Sequence, residues 1–347
     1  MTETEQTPKA NTLVEKASEE TSLILVRHSN LNQDPVKESR RQRSRRKPKN
    51  RQSGKATEMP QAILNLQDEN CRESALRKLS NFLLEKREQD LDNYYSTGYM
   101  LYNSCCTMTI LLQELLTFFR MMDDGSLTAR ASKRLANVLT LFQCIAAGKE
   151  TRHKFVKSSI PNFLVPLVTF RAPLEEFENV RAVALSVIGI LCQARESIII
   201  QWAVESNMVE VCRISLEIGN ELSKVVGMYV IETILQNDSG LSHICNPKSK
   251  LLKKLMATWY QLVTCLDVDQ GFSPRLLFHV IRCCFLLCKD MRGYDVIREN
   301  LPDPISNGYF DPIIDEFPVI GSLLQQLLLT VDKVDSRGAS QRVISDG

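Results

Sequence analysis

One feature of the sequence recurs at long and similar intervals: a long run of apolar residues at helical spacing, closed by a polar turn. The periodicity predicts such helices over 131–147, 178–193, 220–236 and 273–288. The polar turns that close them contain Lys149, Arg195, Asp238 and Asp290, which are 46, 43 and 52 residues apart. A recurrence of this kind restricts the chain to folds that are built by stacking equivalent units.

Each polar turn is followed by shorter apolar helical segments. They lie at 155–156 and 163–168 after the first turn, and at 198–204 and 209–216 after the second. A long helix, a turn and two shorter helices make up the repeat of armadillo and HEAT proteins, where a unit buries its apolar face only by stacking on its neighbours. The sequence therefore predicts an all-α, armadillo/HEAT-like helical-repeat solenoid with an extended concave surface.

Composition divides the chain into three regions: a disordered basic N-terminal tail (1–60), an armadillo-repeat domain (61–332) and a flexible C-terminal tail (333–347). Within the first tail, residues 37–51 contain nine Lys/Arg and one Glu. This block is interpreted either as a nuclear-localisation signal or nucleic-acid-binding arm, or as a solvated charged tail. The candidate localisation signal consists of Arg40, Arg41, Arg43, Arg45, Arg46 and Lys47.

The cysteines and the hydropathy pattern indicate the cellular compartment. The chain has eleven cysteines, an odd number, and several of them lie within apolar helical patterns. No secretory signal is recognised at the N-terminus, and the longest uncharged apolar stretch, Val183 to Cys192, is far too short to cross a membrane. We therefore expect reduced thiols, localisation to the cytoplasm and nucleus, and no membrane partner.

The sequence contains none of the motifs that we associate with catalysis. Gly148-Lys149-Glu150-Thr151 resembles the end of a phosphate-binding loop, but position 143 is Gln and the stretch follows a helix instead of a strand. The four histidines are scattered, and the carboxylates are typical of solvated helix faces. We therefore predict a protein that is not an enzyme and that has no cofactor.

The spacing of His279, Cys283, Cys284 and Cys288 allows two interpretations. Three of these side chains could hold a zinc ion together with an outside ligand, or the cysteines could act as small apolar groups on a buried helix face. We favour burial, because structural zinc sites usually use paired cysteines on loops, and we predict no metal site. The adjacent Cys105 and Cys106 are interpreted in the same way, as buried apolar residues.

Polar residues on the long helices are the candidates for binding a partner. In an armadillo stack these helices line the concave groove, where side chains at i, i+3, i+4 and i+7 face a ligand. Such residues could hold an extended peptide, bind nucleic-acid phosphates, or simply solubilise the surface. The candidate groove residues are Lys133, Arg134, Asn137, Lys224, Arg275, His279 and Arg282.

A series of short motifs, in order and at matching spacing, identifies a family resemblance between about 61 and 333. They are LLQEL at 111–115, LFQCI at 141–145, ETR at 150–152, SVIG at 186–189, ELSK at 221–224, RLL at 275–277, HVIRC at 279–283 and LPD at 301–303. Together they resemble the Rcd1-like cell-differentiation family, the armadillo-repeat subunit nine of the Ccr4-Not mRNA deadenylase complex.

The resemblance implies a non-catalytic adaptor that acts in mRNA decay and translational repression. Its implied partners are the large NOT1 scaffold and tryptophan-containing or helical peptides of silencing and RNA-binding proteins. Self-association and weak nucleic-acid binding are implied as well. The alternative function is that of a nuclear transcription cofactor or a nucleic-acid-binding armadillo protein, for which the 37–51 block would be the import signal.

The chain departs from the family pattern at several groove positions. This chain has Tyr102 where the family has a tryptophan, and Phe278 where the family has a lysine. In the same helix as Phe278, Cys284 and Leu286 replace an aromatic and a basic residue of the family. Cys105-Cys106-Thr107 replaces a Phe-Gly-Thr stretch, and 246–249 replaces a loop with Tyr, Glu and Arg. Because groove charge is lost, we expect scaffold binding to be better retained than nucleic-acid affinity.

Overall fold

The computed structural model describes residues 59–171, 175–266 and 273–342, and it contains helices but no strands in these ranges. The N-terminal tail, including Arg40 to Lys47, lies outside the described residues. The described chain forms two compact units, one ending at Leu191 and the other beginning at Cys192. This boundary falls within a helix, close to its C-terminal end.

In the unit that ends at Leu191, the first helical segment among the described residues lies at 59–64. Its further helices are α1 (Glu69–Gln89), α2 (Leu91–Asn103), α3 (Thr107–Asp123), α4 (Ala129–Ala147), α5 (Lys149–Lys157), a 3-10 helix (Ile160–Leu164), α6 (Val165–Thr169) and α7 (Glu175–Gln193). The long helix α4 is the centre of this unit, since α1, α2, α3 and α5 all pack against it.

The unit that begins at Cys192 contains the end of α7 and ten further helices among the described residues. They are α8 (Ser197–Glu205), α9 (Met208–Ile218), α10 (Glu221–Leu235), α11 (Asp238–Ile244), α12 (Leu251–Thr264), α13 (Pro274–Leu287), α14 (Met291–Asn300), α15 (Asp303–Ser306), α16 (Asp311–Glu316) and α17 (Pro318–Arg342). Helix α10 packs against α9 and α13, and α13 packs in turn against α17.

The four predicted long helices are confirmed as α4, α7, α10 and α13, with ends within a few residues of the predicted ones. Trp202 and Trp259 are both buried in the core. Helix α17 continues to Arg342, past the predicted boundary at 332. No single helix among the described residues has the length and apolarity to cross a membrane; α2 and α3 have them only together, and the chain bends by 85° between the two.

The turns that follow helices α4, α10 and α13 share one geometry. In each case the third residue of the next helix lies directly over the carbonyl oxygen of the residue six positions earlier. Thr151 Oγ1 donates a 2.6 Å hydrogen bond to the Ile145 carbonyl. A Cβ atom placed on Gly240 or Gly293 would come within 2.2 Å of the Ile234 oxygen or 2.3 Å of the Leu287 oxygen. At Gly240 and Gly293 the turn therefore leaves no room for a Cβ atom, whereas at Thr151 the side-chain hydroxyl hydrogen-bonds to the corresponding carbonyl.

The Gly240→Ala variant tests this turn geometry. The added methyl group meets backbone atoms that cannot rotate away, so we expect the free energy of unfolding to fall by about 2 kcal/mol, as in other overpacked sites. The control is Ser239→Ala at the neighbouring exposed position, which should change stability by less than about 0.5 kcal/mol. Urea unfolding followed by circular dichroism measures both, and equal stabilities for the two variants would contradict the assigned geometry.

Candidate partner-binding surfaces

The polar face of α4 carries three predicted groove residues, and its charge is largely neutralised. Lys133 is exposed and Asn137 is half-buried. Arg134 is held between two carboxylates, with Nε 2.5 Å from Glu114 Oε2 and Nη1 3.3 Å from Glu73 Oε2. An arginine held in this way has few donors left for a phosphate or a peptide carbonyl.

The same ion-pair cluster extends to a further arginine. Arg130 Nη2 lies 2.7 Å from Glu73 Oε2. This hydrogen bond, together with the positive charges of Arg130 and Arg134, holds the pKa of the Glu73 carboxyl below its usual value, against a smaller opposing effect of burial. The groups line a depression of about 480 Å³ in which acidic and basic side chains alternate. This surface is therefore suited to a polar partner and is not strongly basic.

His279, predicted to face a ligand, is instead fully buried at the contact between α10 and α13. Its Nδ1 atom lies 2.6 Å from Oε2 of Glu232, whose side chain is also buried. Gln236 Nε2 donates to the other carboxylate oxygen at 2.8 Å, and Arg282 Nε lies 3.9 Å from that oxygen. The prediction for His279 is wrong because the helical pattern cannot reveal that a buried acid on α10 provides a partner for it.

The other three predicted groove residues of this unit lie at or near the surface. Arg275, at the start of α13, is exposed, and Lys224, in the first turns of α10, is half-buried. The side chain of Arg282 is only 15% exposed, and its guanidinium lies over the Phe285 ring at 5.9 Å. Arg275 is thus the residue of this set whose charge is most available to a partner.

The cysteines of the described residues are buried, exposed or, in the case of Cys288, partly exposed. Cys283 and Cys284 are buried, as expected for apolar packing, and no three potential ligands among the described residues are grouped as a metal site would require. Burial raises the pKa of the Cys283 thiol well above its ordinary value. Cys105 and Cys106 are both exposed, so the interpretation of these two as buried apolar residues is wrong. They lie in the turn before α3, which a helical pattern that spans the turn does not reveal.

An apolar depression on the unit that begins at Cys192 was not recognised from the sequence. Leu252 and Met256 of α12 are buried and form its floor, and Tyr260, one helical turn further, is 47% exposed. Val296 and Leu301, in and after α14, complete its apolar lining, and its volume is about 650 Å³. A concave site with an apolar floor and an exposed aromatic ring is suited to an aromatic or aliphatic side chain of a peptide.

Charged groups surround this depression. Lys253, Arg292, Glu299 and Asp303 lie at its edge. Arg292 is fixed in position because its Nη1 donates a 3.0 Å hydrogen bond to the Cys245 carbonyl. A mixed rim of this kind surrounds the apolar centre of typical peptide-binding interfaces.

A second depression with exposed aromatic rings lies on the unit that ends at Leu191. Tyr95 and Tyr99, on one face of α2, are 43% and 47% exposed. They line a depression of about 690 Å³ together with residues 147–152 at the junction of α4 and α5. The floor there is formed by a polar helix junction instead of buried apolar side chains, so this depression is less suited to an apolar side chain.

The role of His279 can be tested through stability. Its replacement in His279→Ala leaves the buried Glu232 carboxylate without its closest partner, and we expect the free energy of unfolding to fall by about 3 kcal/mol. The exposed Arg275→Ala variant should change it by less than about 0.5 kcal/mol. Urea unfolding measures the free energy of unfolding of both variants. A His279→Ala protein of unchanged stability would show that the histidine is not a structural partner of Glu232.

Comparison with known proteins identifies the family to which this sequence is similar. Residues 62–331 match the family described as "Cell differentiation family, Rcd1-like". The cell differentiation protein rcd1 of Schizosaccharomyces pombe is 31% identical over 78% of this chain and 92% of its own length. Protein CAF40 of Saccharomyces cerevisiae is 30% identical over 76% of this chain and 68% of its own length.

Solved structures agree on the fold. A designed armadillo repeat protein superposes with a TM-score of 0.50 and 16% identity over 79% of this chain and all of its own. An engineered protein superposes with a TM-score of 0.56 and 11% identity over 79% of this chain and 98% of its own. The predicted all-α, armadillo-like repeat fold is thereby confirmed. Since the family match spans most of the chain, including nearly all described helices, this protein belongs to the Rcd1-like cell differentiation family.

Proposed function

We propose that this protein is a non-catalytic adaptor subunit of the Ccr4-Not mRNA deadenylase complex, which binds the NOT1 scaffold and peptide motifs of RNA-regulatory proteins. The family match over 62–331 carries the proposal, because it extends over both compact units. The alignment with the fission yeast relative, which includes 92% of that protein, further supports a conserved role for the whole repeat region.

The non-catalytic part of the proposal is supported by the way in which titratable side chains are used. Arg134, Glu114 and Glu73 satisfy one another in a surface ion-pair cluster. Glu232 and His279 are both buried and contact each other, away from any depression described above. The charges on the α4 face neutralise one another in ion pairs, and the Glu232–His279 pair is not accessible to a substrate, so neither set offers the free acid, base or nucleophile that a catalytic site needs.

For the peptide partner we propose the apolar depression around Tyr260. Leu252 and Met256 offer a buried apolar floor, and the exposed ring of Tyr260 can pack edge-to-face or offset against an aromatic side chain. This geometry fits the tryptophan-containing peptides that the family resemblance implies. Nucleic-acid binding is less favoured, because the ion pairs of Arg134 reduce the positive potential of the α4 face.

Affinity purification tests the adaptor role. We expect the tagged full-length protein, isolated from its native cells, to retrieve a large NOT1-type scaffold and deadenylase subunits. Retrieval from both cytoplasmic and nuclear fractions is expected if the 37–51 block acts as an import signal. A control purification uses an unrelated tagged armadillo protein. The absence of deadenylase subunits from the specific fraction would overturn the proposed function.

Peptide binding tests the proposed depression separately. A fluorescent synthetic peptide with one central tryptophan in a glycine- and serine-rich context serves as the probe. We expect Tyr260→Ala to weaken its binding about tenfold, equivalent to about 1.4 kcal/mol, because the exposed ring is lost. Tyr95→Ala, which removes an equally exposed tyrosine from the other depression, should bind like the unaltered protein. Fluorescence anisotropy measures all three, and equal affinities for the Tyr260→Ala and unaltered proteins would contradict the proposed site.

A further inference from the structure

The turn between α2 and α3 brings two thiols together at the surface. Cys105 and Cys106 are adjacent in the chain and both exposed, and their sulfur atoms are 3.4 Å apart. Side chains of successive residues in an extended chain point in opposite directions. Here Cys106 has a left-handed backbone conformation, with φ of 62°, and the turn directs both sulfurs to the same side.

This pair differs from the other cysteines among the described residues. Burial raises the pKa of Cys192 to about 12 and that of Cys245 to about 12, and it also keeps reagents away from both thiols. Cys71 is exposed, and a hydrogen bond with Asp68 raises the pKa of its thiol, as the hydrogen bond with Cys105 raises the pKa of Cys106, but Cys71 has no second cysteine adjacent to it in the chain. Cys265 is exposed as well, without a second cysteine adjacent to it in the chain. Cys105 and Cys106 are therefore the accessible thiols that already have a sulfur partner in place.

We propose that Cys105 and Cys106 form a redox-active vicinal dithiol that a low-molecular-weight disulfide, such as glutathione disulfide, oxidises reversibly. The thiolate of one cysteine attacks a glutathione sulfur, so that a mixed disulfide forms and one glutathione thiolate leaves. The neighbouring cysteine, after loss of its proton, attacks the protein sulfur of the mixed disulfide and displaces the second glutathione. The two cysteines together lose two electrons and two protons, and glutathione disulfide is reduced to two glutathione molecules.

The short distance between the two residues makes the oxidised form reversible. Consecutive Cα atoms are about 3.8 Å apart across a trans peptide, whereas Cα atoms joined by a disulfide are usually at least about 4.4 Å apart. A bond between neighbouring cysteines is therefore strained and is reduced more readily than a structural disulfide. The pair is consequently suited to a regulatory or sensing role and not to stabilising the fold. This inference does not depend on the proposed adaptor function.

The turn that contains Cys105 and Cys106 also contacts neighbouring residues of the same unit. Gln67 Nε2 donates a 3.3 Å hydrogen bond to the Cys105 carbonyl, and Cys106 immediately precedes the first residue of α3. Ring closure between the two cysteines changes backbone angles at this junction. Oxidation is thereby coupled to the geometry of the turn that positions the beginning of α3.

Mass spectrometry of the purified, fully reduced full-length chain tests the proposal. The protein is incubated with defined ratios of glutathione and glutathione disulfide, its remaining thiols are alkylated, and it is digested with trypsin. The tryptic peptide 88–120 contains Cys105 and Cys106 and no other cysteine. We expect this peptide to lose the mass of two hydrogens, to resist alkylation at both cysteines, and to recover both thiols when excess reduced glutathione is added.

Three variants distinguish a disulfide between Cys105 and Cys106 from other oxidation products. With Cys105→Ser or Cys106→Ser, the remaining thiol should stop at the mixed disulfide, so that the peptide gains one glutathione. With Cys71→Ser, ring formation should be the same as in the unaltered chain. Persistent mixed disulfides in the unaltered chain, a cross-link between peptide 88–120 and the peptide of Cys71, or no oxidation at a glutathione disulfide excess that modifies Cys265 would each overturn the proposal.

Discussion

Burial of long apolar helices against their neighbours is the interaction on which the rest of this structure depends. In α10 every residue from Val225 to Leu235 is buried, a surface that the helix cannot cover by itself. Each fully buried aliphatic side chain contributes about 1.5–3 kcal/mol, so the contacts of α10 with α9 and α13 outweigh any intrinsic helical preference of its sequence. The same dependence applies to α4, which is covered by α1 and α2 in the other unit. Contacts between repeats are therefore a major source of stability.

Such burial is costly for a polar group unless the group is hydrogen-bonded or paired. Arg181 of α7 is fully buried, and its guanidinium donates to the carbonyls of Val168 at 3.0 Å and Phe170 at 2.8 Å, both at the end of the preceding helix α6. It also pairs with Glu178 at 2.9 Å. Glu232 and His279 solve the same problem between α10 and α13. These buried polar contacts specify how helices dock, because shifting a helix by one turn would leave a charge unpaired.

The two units have different surface features. The unit that ends at Leu191 has a charge-balanced cluster on α4, exposed tyrosines on α2 and the adjacent thiols before α3. The unit that begins at Cys192 has the apolar depression around Tyr260 and the exposed Arg275. Each unit therefore has its own set of chemically distinct surface features.

The sequence by itself determined the helical repeat, and the tertiary structure decided which polar residues reach the surface. The long helices were predictable because helical periodicity is local: apolar residues at i, i+3, i+4 and i+7 mark one face whatever lies opposite. The family resemblance was likewise evident from short motifs that occur in the same order along the chain as in the family. His279 could not be assigned in this way, because its burial depends on Glu232, 47 residues away on another helix. The depression around Tyr260 was hidden for the same reason, since its floor and its wall come from α12 and α14 and exist only when the two helices are packed.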